Sequence, residues 1–130
     1  MTHPLVSYPQ DASTPTSHLP FSPCVRVGEL LFVSGQASVD ETGAIVSDTF
    51  EGEFRRSVEN LRKVLESAGS DLKHVVQTRN YVRDPEDLPL YNALYREYFS
   101  APFPARTTIT HCLPAALRFE IEAVAVPVAR

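Results

Sequence analysis

Four short stretches of the chain carry side chains whose types and spacing suit chemistry. The first is Pro104-Ala105-Arg106-Thr107-Thr108. Alternate residues of a strand share a face, so Arg106 and Thr108 stand together while Ala105, Thr107 and Ile109 face the other way. Two readings are open for Arg106: a solvated strand arginine, or a planar fork that takes a carboxylate in two parallel bonds beside the Thr108 hydroxyl. The second stretch, Phe119 to Val126, puts Glu120 and Glu122 on one face and Phe119, Ile121 and Ala123 on the other. A half-buried strand with a wet side gives this pattern. The glutamate face continues as Val124 and Val126, however, which suits a covered site where a carboxylate holds and polarises water. The third is Ser34-Gly35-Gln36, closing a strand of Leu, Phe and Val, and by itself it also reads as a plain strand end. The fourth is Asn92 beside Tyr91 and Tyr95 in a helix, where asparagine is a poor interior residue unless it faces solvent or has a task.

Other chemistries find no support in the spacing. Cys24 and Cys112 have no CxxC arrangement, and with His3, His18, His74 and His111 they make no zinc constellation. His111 and Cys112 are neighbours, and on a strand they would point to opposite faces. No metal is expected. No serine-histidine-aspartate arrangement can be assembled, and Gly28, Gly35 and Gly43 fall in separate turns, so there is no phosphate loop. The net charge of −4 argues against a broad nucleic-acid surface, which would be basic. Of the twelve basic residues only Lys63 and Lys73 are lysines; the arginine bias mildly favours anion recognition.

The elements that must position these residues follow from periodicity. A chain of 130 residues holds one domain, and 43% hydrophobic with 22% charged residues is globular composition. No apolar run approaches the roughly 20 residues of a membrane-spanning helix. The start, MTHPLVSYPQ, lacks the basic flank and apolar stretch of a signal peptide, so a cytoplasmic protein is expected. Five of the eleven prolines fall before Cys24, and residues 1–21 read as an extended, poorly packed lead to a single domain over 22–130. Strands are expected at Cys24–Val27 and Leu30–Gln36, with Gly28-Glu29 as their hairpin turn and Asp40-Glu41-Thr42-Gly43 as the next turn. Phe54, Val58, Leu61, Leu65 and Ala68 repeat at spacings of four and three, which predicts an amphipathic helix from about Thr49 to Ala68, ended by Gly69. Leu72–Val82 reads as a strand, Asp87–Phe99 as a second helix, and Ala105–Thr110 and Leu117–Val126 as the last strands. The order ββαβαββ is an α+β domain, one mixed sheet with two helices on one face. Leu30 and Phe32, against Leu31 and Val33, put apolar groups on both faces of one strand. Two helices cover only one side, so a homo-oligomer is expected.

Taken in order, Ser34-Gly35-Gln36, Glu59-Asn60-Leu61, Ala68-Gly69, Asn92-x-x-Tyr95, Pro104-Ala105-Arg106-Thr107, Leu113-Pro114 and Glu120-Ile121-Glu122-Ala123 closely resemble the RidA/YjgF family, the reactive-intermediate (enamine/imine) deaminases. The resemblance runs from about Ser22 to the C-terminus. It implies a chorismate-mutase-like fold in a homotrimer with a barrel-like centre, and clefts between neighbouring subunits. It also implies hydrolysis of 2-imino acids and enamines to 2-keto acids and ammonia with no cofactor. The resemblance gives Arg106 as the clamp on the substrate carboxylate and Glu120 as the group that positions the attacking water. It places Ser34, Gly35 and Asn92 near the site. Three positions depart from the family pattern. Cys24 stands where the best-studied members have tyrosine, Thr108 where cysteine is frequent, and Glu53 where glutamine is common. Cys24 and Thr108 are thereby expected among the substrate-binding residues, with Cys24 either a reactive thiol or a buried inert one. An endoribonuclease and a non-catalytic trimer that binds small carboxylates are the competing readings.

Overall fold

The structure is a computed structural model and describes residues 3–129. Met1, Thr2 and Arg130, which close the expected lead segment and domain, lie outside the described residues. In chain order the elements are β1 (Val6–Ser7), β2 (Cys24–Val27), β3 (Leu30–Ala37), α1 (Phe50–Ser67), β4 (Val75–Val82), α2 (Leu88–Tyr98), β5 (Ala105–Thr110) and β6 (Phe119–Ala125). One sheet holds all six strands in the order β1-β2-β3-β6-β4-β5. Only β4 and β5 run parallel. The chain between them is α2, the crossover that parallel neighbours require. The expected α+β architecture, a mixed sheet with two helices on one face, is the observed one.

Local chemistry sets the ends of α1. The Thr49 hydroxyl accepts from the Gly52 amide at 3.1 Å, satisfying one orphan donor at the N-terminus. At the other end Gly69 has φ of 82°, and the Ser70 amide returns to the Leu65 carbonyl at 2.8 Å. The stripe Phe54, Val58, Leu61 and Leu65 is fully buried against Leu31, Val33, Ile121 and Ala125 of the sheet. Phe50, Phe54, Tyr91 and Phe119 interlock where both helices meet β6, with ring centroids 4.6 to 6.3 Å apart.

Two expectations need adjusting. Residues 3–21 are largely exposed, as a poorly packed lead should be, but they add a short strand and local hydrogen bonds. Val6 and Ser7 pair with Val27 and Arg26, the Leu5 carbonyl accepts from the Gly28 amide at 2.9 Å, and Thr14 is buried with its hydroxyl accepting from the Asp11 amide. A two-residue strand leaves no periodicity to read. The strand expected from Leu72 opens instead with a short 3₁₀ turn over Leu72–His74, because the Asp71 carboxylate accepts from the His74 amide at 3.1 Å. The sheet face away from the helices stays bare: Phe32 keeps 44% of its surface, and Leu30 and Ile109 are likewise exposed.

Candidate active site

Arg106 projects from β5 onto the helix-covered face of the sheet. Its register partner on β4 is Thr78, which in turn pairs with the buried Ala123 of β6. There α2 supplies the surroundings. The guanidinium carbon lies 4.9 Å from the Tyr91 ring centre and 5.0 Å from that of Tyr95, and Nη1 donates to Asn92 Oδ1 at 2.9 Å. Tyr91 and Tyr95 are four residues apart and so share a helix face, where both rings are buried. Their hydroxyls are fixed too, Tyr91 with Thr108 Oγ1 at 2.7 Å and Tyr95 with Thr78 Oγ1 at 2.8 Å. Burial pushes the Tyr91 phenol up to about 12, so it stays protonated beside the cation. No described carboxylate pairs with Arg106. A guanidinium has five N–H donors, and an edge of this one faces a cavity of about 230 Å³ with Phe103 and Pro104 on its wall. Held on two aromatic faces and with no described carboxylate beside it, it has donors left that can take an anion.

Glu120 stands on the opposite face. It pairs with Tyr81 of β4, which is three residues from Thr78 and therefore points the other way. Glu120 shares its cavity, about 560 Å³, with Ser34 and Gly35 of β3. Burial and the neighbouring Glu122 charge raise its carboxyl above the usual carboxylate range, and no described group donates a hydrogen bond to it. Glu122 is occupied elsewhere, accepting from the Tyr81 hydroxyl at 2.5 Å with Arg79 at 3.9 Å. Gly35 makes the position of Glu120 possible, since a Cβ there would fall 2.3 Å from Glu120 Oε2. Ser34 spends its proton on structure, donating to the Ser22 carbonyl at 2.6 Å.

The residues singled out from sequence thus fall into two groups. Arg106, Asn92 and Thr108 meet on one face of the sheet; Ser34, Gly35 and Glu120 meet on the other. Cys24, expected to touch substrate, lines neither cavity. It is 1% exposed in the core, and burial pushes its thiol up to about 11, which describes the inert thiol of the two readings. Sequence reasoning noted Tyr91 and Tyr95 without their role; their spacing of four was the available signal. It missed Leu19, Phe21 and Ile45, which wall the Glu120 cavity. Two of these lie in the lead segment, as lone apolar residues among Ser, Thr and Pro. Among the described residues no three His, Cys, Asp or Glu side chains gather as a metal site, and no helix is long and apolar enough to cross a membrane.

A family model described as Endoribonuclease L-PSP matches residues 11–127. The chain belongs to the endoribonuclease L-PSP family. Other members place the RidA/YjgF resemblance within it. A RutC family protein of Pyrococcus abyssi is 38% identical over 108 residues, 82% of this chain and 85% of that one. The 2-iminobutanoate/2-iminopropanoate deaminase of Homo sapiens is 35% identical over 117 residues, 88% of this chain and 85% of that one. The crystal structure of the yjgF gene product of E. coli superposes with a TM-score of 0.81 at 31% identity, covering 92% of this chain and 98% of that one. This endoribonuclease L-PSP member therefore shares sequence with a protein named as an imine deaminase and its fold with the yjgF gene product.

Proposed function

We propose that the chain hydrolyses reactive 2-imino acids and their enamine tautomers to 2-keto acids and ammonia, in a homotrimer whose sites are each built by two neighbouring chains. The observation that carries this reading is the split of the site. Arg106 offers unpaired donors in one cleft, Glu120 offers a free carboxylate in another, and the sheet separates them within one chain. A neighbour that brings its Glu120 cavity to this Arg106 completes the constellation. The bare sheet face, with Leu30, Phe32 and Ile109 exposed beside Glu122 and Arg79, supplies a reason for the chains to associate.

In the completed site Arg106, steadied by Asn92, Tyr91 and Tyr95, takes the substrate carboxylate in a fork of two bonds. Thr108 acts through Tyr91. Glu120 of the neighbouring chain holds a water against the C=N carbon, with Gly35 leaving room for it and Ser34 fixing the cleft wall. The water oxygen bonds to that carbon as the C=N pair moves to nitrogen. Glu120 accepts the water proton and passes it to the nitrogen. The carbinolamine then loses ammonia as the hydroxyl proton departs, so both water protons end on nitrogen and the carbon keeps the oxygen. No oxidation or reduction occurs, and an imine is already electrophilic, so orientation supplies most of the acceleration and no cofactor is called for. The human relative's name supports the substrate class.

The test generates 2-imino acids with an amino-acid oxidase and traps them with semicarbazide. Wild-type protein should suppress trapping; Arg106→Ala and Glu120→Gln should not, while both variants keep a cooperative melt. Wild-type protein that leaves trapping unchanged overturns the reading. The family description supports an endoribonuclease as a second reading. In that case RNA cleavage would persist through purification and fall with these substitutions. A binder without turnover would hold 2-keto acids yet leave trapping untouched.

A further inference from the structure

The cavity beside Glu120 is far larger than an alanine-derived imine would fill. In the single chain it measures about 560 Å³, against about 230 Å³ for the cleft at Arg106 that a neighbouring chain would bring to it. Its walls are mostly apolar, and three of the large residues on them are exposed in the single chain: Leu19 keeps 55% of its surface, Phe21 50% and Ile45 49%. Apolar groups gathered around a hollow, with one carboxylate at its edge, have the form of a small-molecule pocket.

The walls are also held in place. Leu19 and Phe21 belong to the lead segment, which is pinned where it enters β2. The Ser34 hydroxyl donates to the Ser22 carbonyl at 2.6 Å, and the Ser34 amide donates to the Pro23 carbonyl at 3.0 Å. Within the segment the Phe21 amide reaches the Leu19 carbonyl at 2.8 Å, and the Leu19 amide reaches the Ser17 hydroxyl at 3.1 Å. Ile45 comes from a separate segment, after the Gly43 turn, where it bridges to Val39. A pocket fixed before the ligand arrives spends little binding energy on ordering itself.

We infer that this cavity receives the substrate's side chain and selects 2-imino acids with large apolar side chains, of leucine or phenylalanine size, over those derived from alanine. The inference rests on the imine-hydrolase reading, in which Arg106 takes the carboxylate and Glu120 serves the C=N carbon. The third substituent of that carbon then points past Glu120 into the cavity that Phe21 and Ile45 line. Filling it removes apolar surface from water on both partners, and a single methylene in such a pocket is worth roughly tenfold or more in discrimination.

The experiment measures kcat/KM for imines generated from alanine, leucine and phenylalanine, on wild type, Phe21→Ser and Ile45→Ala, with Leu5→Ser as a control outside the cavity on the same lead segment. Wild type should favour the phenylalanine-derived imine. The ratio of phenylalanine to alanine imine should fall at least roughly tenfold in Phe21→Ser and stay at the wild-type value in Leu5→Ser. Should Phe21→Ser fail to melt cooperatively, Ile45→Ala, which lines the same cavity from outside the lead segment, carries the same expectation. A ratio unmoved in the folded variants, or a wild type that prefers the alanine imine, overturns the inference while the hydrolase reading stands. Absence of turnover with every imine overturns the hydrolase reading itself.

Discussion

An alanine at residue 35 would put its methyl group where the Glu120 carboxylate now lies, 2.3 Å from Oε2. Gly35 does not have a positive φ, so alanine fits the backbone and the side chain of Glu120 must move instead. In Gly35→Ala, kcat for imine hydrolysis should fall by about a hundredfold, the usual cost of misplacing a reacting group by an ångström or so. The melting temperature should stay close to wild type; a large drop would mean that Gly35 matters to folding and not to Glu120. Acidity gives a second handle on the same carboxylate. Burial, then the Glu122 charge, raises the Glu120 pKa, and water activation needs the ionised form. Activity should therefore fall with decreasing pH from above the ordinary carboxylate range. Glu122→Gln removes the repelling charge while its amide oxygen still accepts from Tyr81, so the acid limb of the kcat profile should move to lower pH. A limb that moves up or stays fixed would break the link between Glu120 and the rate.

Between elements, the tie that brings Glu120 to its place runs through Glu53 of α1, which is 1% exposed. Its Oε1 accepts from the Arg118 amide at 2.8 Å, two residues before Glu120, and its Oε2 accepts from the Asp48 amide at 3.1 Å. Both oxygens accept in this chain, and glutamine offers only one acceptor. Glu53→Gln should cost about 1–3 kcal/mol through the backbone amide left without its partner. A lowered urea midpoint at constant m-value would register that loss; an unchanged midpoint would show that the loop finds another acceptor. Residue 53 also marks how far sequence carries. The long elements were legible because α1 buries a stripe of period 3.6 and β6 alternates strictly, signals that packing itself imposes. Glu53 was noticed only as a departure from a family pattern. Nothing in its helical neighbours reveals that its partners are amides on either side of the fold. The same holds for Thr108, whose hydroxyl meets Tyr91 through a crossing of α2 over β5 that no local spacing encodes. The lead segment was illegible for a different reason. Leu19 and Phe21 are single apolar residues in a polar stretch, and only the cavity gives them a common purpose.

At the scale of the whole molecule, alternation told which residues share a face within β5 and within β6, but it could not say that the two faces differ. That fact comes from the register: Arg106 pairs with Thr78 and Glu120 with Tyr81, on opposite sides of β4. It has a quantitative consequence. If each site takes Arg106 from one chain and Glu120 from another, two inactive variants contain between them every part of a working site. Arg106→Ala and Glu120→Gln proteins, unfolded together, refolded as an equal mixture and assayed on a 2-imino acid, should recover activity. A site is intact when its arginine comes from the Glu120→Gln chain and its glutamate from the Arg106→Ala chain, a chance of about one quarter for random assembly in a closed homo-oligomer. Recovery should thus approach about a quarter of the wild-type rate, and the two variants mixed without unfolding should recover it only as fast as the chains exchange. Sites contained within single chains would give no recovery at any ratio. Recovery would show that Arg106 and Glu120 serve one site across an interface, because the only new thing in the mixture is an interface that joins an intact arginine to an intact glutamate.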